Sequence, residues 1–275
     1  MRDADLSDLG LALAVLALYY LMFVAGWQWI LAAMGIRIGY GLALQAEMAS
    51  MLAKYIPGTV WTPLARILWL RRAGGVTATS YVLSSILLEA GLSAVAGVGV
   101  FVGGLVWVES VDGPIFPLAV FAILVALLLH PRVFRLLARL IFSRFGAPEP
   151  PPLRWRTLLA LLAFYCGTWL VGGTALFFLL RAVGGDPDVA TIPYLGGTAA
   201  VGAIVAVLSI VAPSGLGVRE ASMYGLLLAV TGGGIALGAT VLNRIAITLV
   251  EATLLGAGVA TWRRGRAVTA SEESG

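Results

Sequence analysis

The sequence predicts an all-α polytopic membrane protein, with about five full spans and two re-entrant broken hairpins arranged as an inverted repeat. Three observations carry this expectation. Of 275 residues, 60% are hydrophobic and only 12% are charged, with a mean hydropathy of +0.97, a profile well outside that of soluble globular domains. Several apolar runs exceed the ~20 residues that cross the hydrocarbon core of a bilayer. Two further apolar stretches are interrupted by proline and glycine and then followed by an arginine: Pro57-Gly58 before Arg66, and Pro213-Ser214-Gly215 with Gly217 before Arg219. Hydrocarbon offers no water to freed backbone groups, so such breaks persist only where protein buries them or where they line a wet cavity. Paired interruptions in two halves of a chain point to a transporter's binding site.

The first span is 9–34, which carries no charge. The residues before it include Asp3, Asp5 and Asp8 and lack the basic lead of a signal peptide, so the segment is expected to be retained. The stretch 41–53 is weaker, interrupted by Gln45 and Glu47, and runs into the first break before 64–70 resumes the apolar pattern. Two short arms around a break predict a re-entrant hairpin; an interfacial helix with a loop is the alternative. A second span covers 76–108 with Glu89 as its only charge, and 115–129 is a short third. Next, Arg132, Arg135 and Arg139 share one face of a basic helix expected to lie on the membrane surface. Pro148, Pro150, Pro151 and Pro152 mark a linker. The fourth span is 158–180. An apolar arm at 192–211 reaches the second break, 223–230 leaves it, and 235–262 closes the chain with Arg244 and Glu251 inside.

Both halves therefore read span, broken hairpin, span, over about 9–108 and 158–262, joined by a span and the basic surface helix within 115–157. Each closing span holds one glutamate, Glu89 or Glu251. The extra span makes the second half enter from the opposite side, hence an inverted repeat. Arginines collect on one side of this arrangement and acidic residues on the other, which by the positive-inside rule predicts a cytoplasmic C-terminus and an external N-terminus in the cell membrane. The 34 glycines suit close helix packing, and Gly99 with Gly103 is a packing signal of the spaced small-residue kind.

The two broken segments resemble the signature segments of the lysylphosphatidylglycerol synthase transmembrane-region family, the flippase module of the multiple peptide resistance factor and its stand-alone relatives. The residues that carry the resemblance are Lys54-Tyr55-Ile56-Pro57-Gly58 with Val60-Trp61 and Arg66, then Pro213-Ser214-Gly215-Leu216-Gly217-Val218-Arg219-Glu220. The chain departs from the family's usual pattern at Thr59, Ala90 and Ser214. The resemblance covers the membrane module and implies lipid translocation, not lipid aminoacylation.

Chemistry at the breaks agrees with that implication. A helix that begins inside the membrane presents free N–H groups and a positive dipole end, which suit a phosphate. Thr62 is expected to cap a helix starting at Pro63 with Arg66 near its first turn, and Gly217 to cap a helix bearing Arg219 and Glu220. Arg66 and Arg219 are thus candidate phosphate ligands, with Lys54 auxiliary and Pro57, Gly58, Pro213, Ser214, Gly215, Gly217 and Glu220 shaping the site. Snorkelling to the interface is the alternative for Arg66 and Lys54. Ionisable groups inside a bilayer cost at least ~2.5 kcal/mol at a helix centre, so Glu89, Arg244 and Glu251 are candidates for gating or proton-linked roles. Arg244 and Glu251 lie two turns apart, too far for a direct bond without an intermediary.

One histidine, one cysteine and no acidic pair at metal spacing leave no catalytic set, so no enzyme activity, cofactor or metal is expected. The expected partner is a membrane lipid with a phosphate headgroup, not nucleic acid. The alternative function is a non-catalytic membrane partner of a lipid-modifying or glycosyl-transfer enzyme.

Overall fold

The computed structural model describes residues 6–53, 56, 60–108, 127, 132, 133, 136, 139, 151, 153–208 and 215–272, with side chains as far as Gly258. Lys54, Pro57, Gly58, Pro213 and Ser214 lie outside these residues, as does most of 109–152 with the expected span 115–129, Arg135 and the proline linker. All regular structure among the described residues is helical: α1 (Leu6–Ala33), α2 (Tyr40–Ala53), α3 (Trp61–Gly74), α4 (Thr79–Gly104), α5 (Trp155–Ala182), α6 (Ile192–Leu208), α7 (Val218–Leu227) and α8 (Gly233–Glu272). Short 3-10 turns extend α4 at Leu105–Trp107 and precede α6 at Val189–Thr191. Asp188 nucleates the second turn, its carboxylate accepting the Ala190 N–H at 2.8 Å.

Five segments are long and apolar enough to cross a membrane: Leu6–Ala33, Thr79–Trp107, Trp155–Ala182, Val189–Val207 and Gly233–Gly258. Four fall on the expected spans. The fifth is the arm entering the second break, which the sequence reading placed within a hairpin. No charge interrupts it, whereas its counterpart α2 holds Gln45 and Glu47 and, at 14 residues, extends only about 21 Å.

The central pair is α1 against α5, running in opposite directions. Asp8 at the start of α1 meets Arg181 near the end of α5 at 3.1 Å, Tyr19 stacks against Trp169 with ring centroids 5.6 Å apart, and a Cβ on Gly26 would touch the Tyr165 hydroxyl. The remaining helix contacts follow a rule. Exchanging α1–α4 for α5–α8 in order turns the packing of α1 on α2 into that of α5 on α6, α2 on α3 into α6 on α7, and α3 on α4 into α7 on α8. The same exchange turns α1 on α4 into α5 on α8, α4 on α6 into α8 on α2, and α4 on α5 into α8 on α1.

Small residues set how closely α6 seats between α4 and α5. Cβ atoms on Gly173 and Gly196 would strike the backbone of the facing helix, and one on Gly197 would strike the Phe101 backbone. In lipid no hydrophobic force pushes helices together, so backbone proximity and dispersion contacts hold them. Gly99 and Gly103 do not serve this way, because a Cβ on either meets nothing within 4 Å; Gly97 and Gly104 are the close-contact glycines of α4. The spacing signal was present, but the buried face of the helix is set by its neighbours.

Candidate functional site

Around the two hairpins, charged side chains of α2, α3, α4, α7 and α8 gather inside the bundle. In the first, α3 starts at Trp61, two residues before the expected Pro63, and Thr62 lies inside the helix with Val60 at the N-cap. Pro63 is tolerated there because the N–H groups of a first helical turn have no intrahelical partner to lose. Arg66 consequently sits in the second turn, and it points inward between α2 and α4.

All three nitrogens of its guanidinium have partners. Nη1 donates to Glu89 Oε2 of α4 at 2.5 Å, Nη2 donates to Glu47 Oε1 of α2, and Nε donates to Ser50 Oγ at 3.4 Å. Glu47 and Ser50 share one face of α2, three residues apart. The Trp27 ring of α1 lies 4.7 Å from the Arg66 guanidinium carbon, giving a cation–π contact, and its Nε1–H donates to Ser85 Oγ at 2.9 Å. The Arg66 side chain is 8% exposed, so this arginine does not snorkel to the interface.

The second hairpin is built on positive-φ glycines. Gly215 has φ +65° and Gly217 has φ +82°, and α7 begins immediately after. A Cβ on Gly215 would also press on Ala206 of α6. Gly217 caps α7 as expected, and the third helical residue, Glu220, reaches back so that its Oε2 accepts the Gly217 N–H at 2.7 Å. The other carboxylate oxygen of Glu220 faces Arg244 Nη1 of α8 at 3.6 Å. Arg244 therefore finds its partner on α7, not in Glu251 two turns along its own helix.

Arg219 differs from Arg66. It is half-buried, its Nε is buried without a hydrogen-bond partner, and none of the ion pairs among the described residues includes it. Its field acts on Tyr19 and Tyr20 of α1, as does that of Glu251. Glu251 is buried in α8 and accepts the Tyr20 hydroxyl at 2.7 Å.

Of the expected residues, Arg66 and Glu89 are in contact, Arg219, Glu220 and Arg244 lie at the second break, and Glu251 lies against Tyr20 of α1. The reading missed Glu47, which appeared only as an interruption of an apolar stretch, and Tyr20, Tyr165 and Trp27, which look like ordinary aromatic residues of a span. The available signal was the combination of Glu47 with Ser50 on one helical face. Among the described residues, no group of three His, Cys, Asp or Glu side chains could hold a metal ion.

A bundle of apolar helices with a buried arginine–carboxylate cluster at one interruption and a partly exposed arginine–glutamate pair at the other defines a multi-pass membrane module. The chain belongs to the lysylphosphatidylglycerol synthase TM region family, whose model matches residues 1–256. It is thus a membrane lipid-related transmembrane module, and that family is the transmembrane region rather than the catalytic domain. No curated protein matches the chain.

Proposed function

We propose that this module is a flippase-like transporter that moves a lipid with a phosphate headgroup between leaflets. The lipid would be an anionic or aminoacylated phospholipid, or a polyprenyl phosphate-linked lipid. One observation carries the reading: Arg219, in the first turn of a helix that begins at two left-handed glycines, holds a buried Nε with no partner. A buried N–H of a half-buried arginine is costly to leave unpaired, and a lipid phosphate supplies both an acceptor oxygen and an opposite charge. The adjacent helix N-terminus adds free N–H groups.

The exchange rule of the helix contacts and the opposed directions of α1 and α5 support two inverted halves, about 9–108 and 158–262, in which Arg66 and Arg219 occupy corresponding helices. In this reading each arginine serves the headgroup at a different stage of the cycle. The arginine-rich side is cytoplasmic and carries the C-terminus.

Translocation of a labelled anionic phospholipid in proteoliposomes tests the assignment. Removing one charge-assisted hydrogen bond to phosphate, worth about 1.5–3 kcal/mol, should slow Arg219→Ala about ten- to hundredfold. Arg219→Lys should retain more, since a point charge replaces a fork. Wild-type rates in Arg219→Ala would overturn the assignment.

A further inference from the structure

The first hairpin holds more acid than its cation can balance. Glu47 and Glu89 both bind the Arg66 guanidinium, which gives two carboxylates to one arginine in an interior sealed by Trp27 and Ser50. Each carboxylate uses only one oxygen in these contacts. Glu47 Oε2 and Glu89 Oε1 are buried and have no hydrogen-bond partner. With both glutamates ionised, the cluster would leave one net negative charge and two unsatisfied oxygens out of reach of water, an arrangement that interiors strongly disfavour.

A second feature points to the same spot. Tyr165 of α5 is fully buried, its hydroxyl has no partner, and Glu89, Glu47 and Arg66 all act on it electrostatically. That hydroxyl rests against Gly26, one residue from the Trp27 that stacks on Arg66. The helices around the cluster bring few other titratable groups. Glu251 of α8 acts on Glu47 and accepts the hydroxyl of Tyr20 from α1; α1 also contributes the non-titrating Trp27; α6, which packs on α4, contributes Tyr194, whose hydroxyl donates to Leu226 O at 2.7 Å. None of these adds a positive charge.

We propose that Glu47 and Glu89 hold a single proton between them, making the first hairpin a proton-binding site. Two carboxylates that share a dry site do not ionise together readily, and a proton brings this cluster to neutrality without a larger cation. The proton gives one carboxyl group a donor and removes the uncompensated charge. A consequence follows for the cycle, resting on the transport reading above. If a lipid phosphate takes Arg66 from Glu89, that carboxylate loses its counter-charge, and a second proton must arrive with the headgroup.

Infrared spectroscopy of the full chain in lipid nanodiscs at neutral pH tests the site without reference to transport. The expected result is the carbonyl stretch of a buried protonated carboxyl in the wild type, shifted in heavy water and lost in both Glu47→Gln and Glu89→Gln. Either single variant leaves one carboxylate for one arginine, so its melting temperature should stay near wild type, while the double variant, with Arg66 unpaired, should melt well below. No such band in the wild type overturns the proposal, and so does its persistence in either single variant. Single variants that melt as low as the double would show that both carboxylates are ionised and required. A wild-type melting temperature that rises with sodium or potassium at fixed pH would assign the site to a metal cation and overturn it as well. If the band behaves as expected and the protein moves no lipid, the transport reading fails and the proton site stands.

Discussion

The two hairpins carry the same parts in opposite states. In the first, the arginine is bound by two carboxylates and covered by a tryptophan, while the tyrosine of the neighbouring helix, Tyr165, has an idle hydroxyl. In the second, Tyr20 of α1, the other helix of the central pair, donates to the glutamate Glu251, while Arg219 has a buried Nε without a partner. The difference teaches that an arginine after a proline–glycine break is not by itself a phosphate site. What decides is whether the chain's own carboxylates already occupy it. In this conformer the chain's own carboxylates hold the first arginine, whereas the second is the one that the transport reading assigns to an anion.

The comparison breaks most visibly on removal of the paired arginine. Arg66→Ala leaves Glu47 and Glu89 buried without their cation, and breaking a buried ion pair from one side costs about 3–5 kcal/mol, so thermal unfolding in detergent should show a large loss. Arg219→Ala strands no carboxylate and should melt close to wild type. Equal losses would erase the distinction between the hairpins.

A smaller effect separates the two glycines of the second break. Both adopt left-handed backbone, which costs a residue with a Cβ about 1–2 kcal/mol, but only at Gly215 would that Cβ also meet α6. Gly215→Leu should therefore lose more stability than Gly217→Leu, and both should slow lipid translocation while still inserting in the membrane. Equal melting temperatures for the two would argue against the close seating of the break on Ala206.

The tyrosines give the finest test. Hydrogen bonds inside membrane proteins contribute about 0.6 kcal/mol on average and up to about 1.7. Tyr20→Phe should cost an amount in that range, whereas Tyr165→Phe, which removes an unpartnered hydroxyl, should be neutral or slightly stabilising. A cost for Tyr165→Phe as large as that for Tyr20→Phe would mean that its hydroxyl is bonded.

Much of this was legible in the residues. Long apolar runs located α1, α4, α5 and α8, since length and apolarity are what a bilayer selects, and the breaks located both hairpins. Gly217 as a cap and Arg219 and Glu220 in the first turn of α7 followed from local backbone chemistry. Less local features were not legible. The pairing of Arg66 with Glu47 depends on how α2 and α3 fold back on each other, and Glu47 stood in the sequence only as a blemish in an apolar stretch. The partner of Arg244 is set by the packing of α7 on α8, which no spacing within one helix encodes. The early start of α3 escaped because Pro63 reads as a first helical residue, although a proline fits anywhere in the first turn.

Arginine accessibility separates the two hairpins without any variant. Wild-type protein in mild detergent would be treated with phenylglyoxal, and each modified arginine located by peptide mass spectrometry, with and without added phosphatidylglycerol. Arg219 is expected to react and phosphatidylglycerol to protect it, whereas Arg66 stays unmodified in both conditions. Reaction at Arg66 as fast as at Arg219, or reaction at Arg219 that the lipid does not slow, would contradict that distinction.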